Sequence, residues 1–415
     1  MSSSDITTLV SKARALLQSS QSEKALELLT PSFETYNDQI EYLQIFGETL
    51  LENNDLENAY DVLVKACELD PIASKGVEKF FYFGQIIGGQ DGINSLNIGL
   101  QKLQQQLDII QHDKDTEDEL LVELSKLYPT KESLLTYLIK KLNQGIFAKI
   151  EIWMTDLCME DEAETQCNDL INYSISLDPN NPEALSLLSS IRISQQRNEE
   201  AKEALLKSWQ LFQQKKVKLE ESANKIKQGA EEEEGEDLDS FEVGLEYVDL
   251  IQPLSTLAKF AIELELYEIT ITIVSNIQDI NENILDIYYY EAIANLFHAK
   301  QILFQSSSTK KASEDDDYRD IDVSILLKSS NPEIKSLMKE VKSSLTQGFK
   351  IINSDNLVAD LDPGLIEQVE LLLKQVGGPD MSELIPSRKG EDEDGWEDEI
   401  NSEDEEDDDE EEEDN

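Results

Sequence analysis

Histidine is almost missing from this chain. Only His112 and His298 occur, 186 positions apart, so a Cys–His or Ser–His–Asp arrangement has almost nothing to be built from. Both read as surface residues. Cysteine is scarce as well: Cys67, Cys158 and Cys167 are too few and too irregular for a disulfide framework, which fits a reducing compartment. The nine-residue step from Cys158 to Cys167 fits no zinc pattern. No run of 18 apolar residues occurs, and the opening Met1-Ser-Ser-Ser-Asp-Ile lacks a basic region leading into an apolar stretch. Neither a membrane span nor a secretory signal is expected. No glycine-rich phosphate loop appears, since Gly84, Gly88 and Gly89 sit at repeat and turn positions. The acidic runs lack the spaced ligands and turn glycine of a calcium loop. The chain therefore reads as a non-enzyme with no catalytic residue, no metal and no cofactor.

Positive charge is also in short supply. There are 35 basic against 88 acidic side chains, a formal net charge of −53. Nineteen of those carboxylates fall in residues 391–415, and removing them still leaves about −34 on the rest. Phosphate backbones and anionic lipid would be repelled within a Debye length of about 8 Å. Direct nucleic-acid or membrane binding is not expected. A cationic protein would be attracted and steered.

What is present is a repeat. Residues 40–71 place Leu43, Phe46, Gly47 and Leu50, then Ala59, Leu63 and Ala66, then Pro71, at the spacing of a tetratricopeptide repeat of about 34 residues. The offsets put the first four on one face of a helix, with Gly47 and Ala59 small where two helices approach. Asn53-Asn54-Asp55 supplies the turn. Matching positions recur at Leu9, Ala13, Leu16, Ala25 and Leu29, and at Phe80, Phe83, Gly84, Ile87 and Ser95, with Gly88-Gly89-Gln90-Asp91 as a longer turn. Two more units fit 148–181 and 182–215, and another fits 251–284, followed by a helix over 285–303. The expected fold is all-α: a right-handed superhelical solenoid of tetratricopeptide repeats with a disordered acidic C-terminal tail.

The expected organisation is N-terminal repeats over 1–111 and central helices and repeats over 112–215. A charged interruption follows at 216–250, then repeat-like helices over 251–378 with an acidic insertion near 304–322. Helices at 332–353 and 362–376 act as a cap, and residues 379–415 form the tail. Residues 117–127 and 131–147 are helical but off the consensus. The runs Glu231–Asp237 and Glu314–Asp317 cannot bury enough apolar area to offset the entropy of ordering.

Solenoids of this kind line a concave channel with the first helix of each pair. The channel positions are Glu41, Gln44, Glu48, Leu51 and Glu52 in the second repeat, and Glu78, Phe81 and Gln85 with Tyr82 beside them in the third. In the fourth they are Lys149, Ile152, Asp156, Met159 and Glu160. Lys259, Ile262 and Glu263 follow, then Tyr288, Tyr289 and Tyr290. Carboxylates mixed with aromatic rings suit an extended basic peptide with apolar anchors, because arginine pairs with the one and stacks on the other. A grip on a free C-terminal carboxylate would need Lys and Asn where this chain has Val10, Arg14, Gln44, Ile45, Glu78 and Tyr82. That reading fails on charge.

The stretch Ala148-Lys-Ile-Glu-Ile-Trp-Met-Thr-Asp-Leu-Cys158, followed by Glu162-Ala-Glu-Thr-Gln-Cys167, resembles the fungal dedicated assembly chaperones of the large-subunit ribosomal protein L-four. So do Asp178-Pro-Asn-Asn-Pro-Glu-Ala-Leu185, Ser190-Ile-Arg-Ile-Ser-Gln-Gln196 and the tail segment Asp394-Gly-Trp-Glu-Asp-Glu-Ile400. The resemblance implies a non-catalytic escort; the chain itself is expected to be a monomer found in cytoplasm and nucleus. Such an escort covers the long basic loop of the newly made ribosomal protein and accompanies it to the pre-60S particle. Lys215-Lys216-Val-Lys218 is short and fits a helix surface and an import signal equally well, so import is expected to come with the cargo. The rival reading is an acidic repeat protein that binds histones. The tail, with Trp396, would either extend electrostatic capture or keep the protein soluble.

Overall fold

The computed structural model describes residues 3–19, 21–227, 240–307, 317–354 and 361–384, all as helices, turns and connections without a strand. No described helix is long and apolar enough to cross a membrane. The chain divides into two units, Met1–Asn283 and Ile284–Asn415. The runs at 231–237 and 314–316, and 385–415 of the tail with Trp396, lie outside the described residues.

The first unit opens with α1 (Ser3–Gln18), α2 (Ser22–Leu29) and the short α3 (Phe33–Tyr36). The best repeat follows as α4 (Ile40–Glu52) and α5 (Leu56–Leu69). Its physics is the expected one. A Cβ on Gly47 would lie 2.7 Å from the Leu63 side chain, so only glycine lets α4 and α5 meet this closely. Asp55 caps α5 by accepting from the Asn58 N–H at 3.3 Å, and Asn54 takes the left-handed turn at φ 57°. The Tyr42 hydroxyl donates to the Leu29 carbonyl at 2.7 Å, joining the first two pairs.

Next come α6 (Glu78–Ile87), α7 (Gly89–Gln111), α8 (Glu119–Leu127) and α9 (Lys131–Met154). The longer turn expected at Gly88–Asp91 is absent: α7 begins at Gly89, straight after the Gly88 cap at φ 61°. The helix expected to start a fourth repeat at 148 is likewise not a separate element. Thr130 caps a helix that runs unbroken to Met154, because Leu134, Leu138, Leu142 and Ile146 keep one buried face through the junction. Asp70 and Lys79 pair at 2.8 Å, both buried, and Lys79 also donates to Gln44 Oε1 (2.8 Å) and the Gly76 carbonyl (2.5 Å). This network ties the loop between the second and third repeats to α4.

The unit continues with α10 (Ala163–Leu177), α11 (Pro182–Ser194), α12 (Asn198–Lys227), α13 (Ser240–Val248), α14 (Ile251–Glu263) and α15 (Tyr267–Gln278). Serines sit where helix pairs approach: Ser189 Oγ donates to the Ala201 carbonyl at 2.9 Å and Ser208 Oγ to the Pro182 carbonyl at 2.7 Å. Much of the stretch expected to interrupt the array is folded. α12 runs on to Lys227, with Lys216 held by Asp279 (2.7 Å) and Asn276 (3.1 Å), and α13 covers 240–248.

The second unit holds α16 (Leu285–Ser307), α17 (Val323–Leu327), α18 (Pro332–Ile352), α19 (Pro363–Gln375) and α20 (Met381–Leu384). Asn331-Pro332 and Asp362-Pro363 start α18 and α19 with a capping side chain and a proline in the first turn. Gly377 and Gly378, at φ 97° and 80°, end α19 as expected. The first residues past Pro379 are ordered, contrary to the composition-based reading. Glu383 accepts from Ser343 Oγ (3.0 Å) and Gln347 Nε2 (3.0 Å) and so holds α20 against α18.

Candidate functional site

Inside the first unit, α4, α6, α9, α11 and α14 border an open trough of about 1010 Å³. Glu48, Glu78, Glu151, Glu183 and Asp249 supply five carboxylates, and Phe81, Tyr82, Phe147, Met154, Leu187 and Phe260 supply apolar surface. Lys141 is the one basic side chain among the lining residues.

One of the carboxylates is already paired, and a second is set apart by burial. Glu78 pairs with Lys141 at 3.1 Å. Burial pushes the Glu78 carboxyl up, but the Lys141 charge and hydrogen bonds outweigh it and hold the group below the usual carboxylate range. Glu48 goes the other way: burial raises it, against the lowering effect of Arg14 and a hydrogen bond from Tyr82. The Tyr82 hydroxyl is itself pushed up by burial and by the neighbouring Glu48 charge. Among the described residues, Glu151, Glu183 and Asp249, on the facing elements, have no basic side chain within ion-pair distance.

A second cavity, of about 390 Å³, continues toward α1. Here α8 lies over the array, with Leu120, Glu123, Leu124 and Leu127 opposite Val10, Arg14, Glu41, Gln44, Glu78, Tyr137 and Lys141. Ion pairs Lys102–Asp118 (2.7 Å) and Lys75–Glu119 (3.2 Å) hold the start of α8 in place.

Of the channel positions read from sequence, Glu48, Glu78, Phe81, Tyr82 and Gln85 line the trough. Phe81 is a largely buried floor residue whose ring fills the space beside Gly99 and Gly145. Glu41 and Gln44 border the cavity under α8, and Gln44 is engaged by Lys79. Glu52 is exposed but lines neither cavity.

The fourth-repeat positions need correction. Ile152 is buried in the core, its Cδ1 packed where a Gly92 Cβ would sit. Asp156 accepts from the Gly89 N–H at 2.8 Å and caps α7 instead of facing the trough. Glu160 is exposed in the connection after α9. Because α9 is continuous, its trough face is Gln144, Phe147, Ala148, Glu151, Met154 and Thr155, one residue out of phase with the expected set. On a helix that is a rotation of about 100°. α14 is displaced by one residue in the other direction: Phe260 instead of Lys259 faces the trough, with Gln252, Pro253 and Thr256, and Glu263 is exposed at the end of the helix. Tyr289 belongs to the second unit, half-buried against the core of α16, α18 and α19. The Thr130 cap, read as the true start of α9, was the sequence signal that could have fixed the phase.

Among the described residues no group of three or more His, Cys, Asp or Glu could hold a metal ion.

Comparison with known proteins agrees with this architecture. Residues 283–410 match the ACL4 C-terminal domain family, and residues 40–72 match a tetratricopeptide repeat. A Schizosaccharomyces pombe protein described as "probable assembly chaperone of rpl4" is 34% identical over 152 residues, covering 36% of this chain and 38% of the relative. An Emericella nidulans protein of the same description is 29% identical over 216 residues, 49% of each chain. The chain thus spans between about a third and a half of the length of the curated relatives it matches. A solved structure of residues 1–338 of the assembly chaperone of RpL4, Acl4, superposes with a TM-score of 0.51 at 20% identity, over 72% of this chain and 98% of that one. That likeness speaks to the fold. Over part of its length the chain resembles fungal proteins described as probable assembly chaperones of rpl4, and its C-terminal region matches the ACL4 C-terminal domain family.

Proposed function

We propose that the trough binds a flexible, cationic segment of a newly made ribosomal protein of the L4 family. The chain then keeps that segment from aggregating and from unproductive RNA contacts until it joins the large subunit. The observation that carries this reading is the lining: five carboxylates interleaved with aromatic side chains, and a single lysine. Arginine and lysine side chains of an extended segment pair with the carboxylates and lie on the rings. Ribosomal RNA, with denser negative charge, can later displace the escort.

The same reading takes the protein as a monomer that moves between cytoplasm and nucleus, is imported with its cargo, and works without catalysis. Mass spectrometry of what purifies with the tagged chain in stoichiometric amount is the direct test. The L4-family protein should dominate. Histones as the principal partner would replace this reading with the rival one.

A further inference from the structure

A second cleft, of about 880 Å³, lies between α5 and α7, and it shares no lining residue with the trough. Phe80, Phe83 and Ile87 of α6 form its floor, Tyr60 and Val64 of α5 one wall, and Ile98 of α7 the other. These are large apolar groups at a size typical of binding clefts. Tyr60 is 42% exposed and Ile98 36%, so the walls stand open to solvent. The apolar surface continues past Pro71 to Ile72, which is 71% exposed. Since α7 starts at Gly89, directly after the Gly88 cap, no connecting loop covers that end.

The rim is one-signed. Glu68 and Asp91 line the cleft, and none of its lining residues is Lys or Arg. A second copy of this chain, itself at −53, would be repelled. The walls are helices whose backbone groups are already paired, so an extended strand laid here would find no ladder partners. An amphipathic helix pairs its own main chain and gathers its apolar side chains on one stripe, which matches the apolar floor and walls of this cleft.

We propose that this cleft is a docking site for an amphipathic, cationic α-helix of a partner protein. Its apolar stripe packs on Tyr60, Val64, Phe83 and Ile98, and its flanking Arg or Lys side chains meet Glu68 and Asp91. The site is independent of the trough reading, and a partner held here leaves the trough open for cargo.

The test uses the full chain and a labelled synthetic peptide of about four helical turns. It carries leucines at i, i+4 and i+7 and arginines beside them. A scrambled peptide of the same composition is the comparator. Fluorescence anisotropy should give saturable binding, with the patterned peptide tighter than the scrambled one by at least about tenfold, or 1.4 kcal/mol. Tyr60→Arg with Ile98→Arg should remove that preference. Val122→Arg with Val217→Arg, which makes the same change in net charge at exposed sites elsewhere, should leave it intact. Circular dichroism melts confirm that both pairs of variants fold. Equal binding of the two peptides, no saturable binding, or equal effects of the two variant pairs would overturn the proposal. So would displacement of the peptide by Glu151→Lys with Glu183→Lys alone, since that would put it in the trough. A dimer of the wild-type chain that dissociates on Tyr60→Arg would assign the cleft to a second copy and likewise overturn it.

Discussion

The two sides of the trough carry the same kind of side chain in different electrostatic states. On the α4–α6 side, Glu78 is paired with Lys141, and burial disfavours the charged form of Glu48. On the α9–α11 side and at Asp249, the carboxylates have no cationic neighbour within ion-pair distance among the described residues. A carboxylate that is already paired contributes little to a new partner, since binding first has to break or share the existing pair. Counting acids along the sequence therefore overstates one side and, because of the phase slip in α9, misses the other.

Reversing the unpaired set is the largest expected effect. Glu151→Lys, Glu183→Lys and Asp249→Lys together should cost about 3–4 kcal/mol of cargo affinity, roughly 100- to 1,000-fold, measured with a basic loop peptide of the L4-family protein at near-physiological salt. The matched reversal of Glu41, Glu52 and Glu160 should cost less than about threefold, because exposed charges at the periphery act mainly on the association rate. Equal losses from the two triples would erase the distinction between the sides.

Next in size is the support of the paired side. Lys79→Met leaves the buried Asp70 carboxylate without its ammonium partner and should destabilise the chain by about 3 kcal/mol in urea unfolding. A change below about 1 kcal/mol would mean that the Ser74 and Lys75 donors satisfy Asp70 unaided. Removing the trough's own cation is subtler. Lys141→Met frees Glu78 and should raise affinity for the basic peptide by about threefold, equivalent to roughly 0.6 kcal/mol. An unchanged affinity would indicate that Lys141 does not compete with cargo.

The smallest effect is in pH. Glu48 is raised in the fold, so its protonated form is favoured there. Its contribution to stability is present at pH values below the ordinary carboxylate range and is lost as pH rises through the raised value. Glu48→Gln should therefore raise the Tm more at pH 7 than at pH 4. Glu78 and Asp70 are lowered, so their contribution is present above the ordinary carboxylate value and fades as pH falls through the depressed ones. Glu78→Gln should accordingly lose most of its destabilising effect on going to strong acid.

Much of this was legible beforehand where local signals agree. Gly47, Leu63, Asp55 and Pro71 each mark the second repeat, and α4 and α5 fall where they point. In α9 the signals divide: the repeat spacing from residue 148 onward reads as a fresh start, while the Thr130 cap and the leucines from 134 to 142 make it a continuation. Gln44 was legible as a channel position, but its capture by Lys79 crosses 35 residues of sequence and leaves no local trace.

The sequence by itself determined the helix-pair repeat, the negative charge, and the mixture of acids with aromatic rings along the channel. Tertiary structure decided which face of α9 and α14 is turned inward, which carboxylates are already paired, and that α8 lies over the first repeats. Periodicity fixes which side chains share a helix face, but the direction of that face depends on what packs against its back. One residue of phase turns a helix by about 100° and exchanges a buried isoleucine for a solvent-facing glutamate.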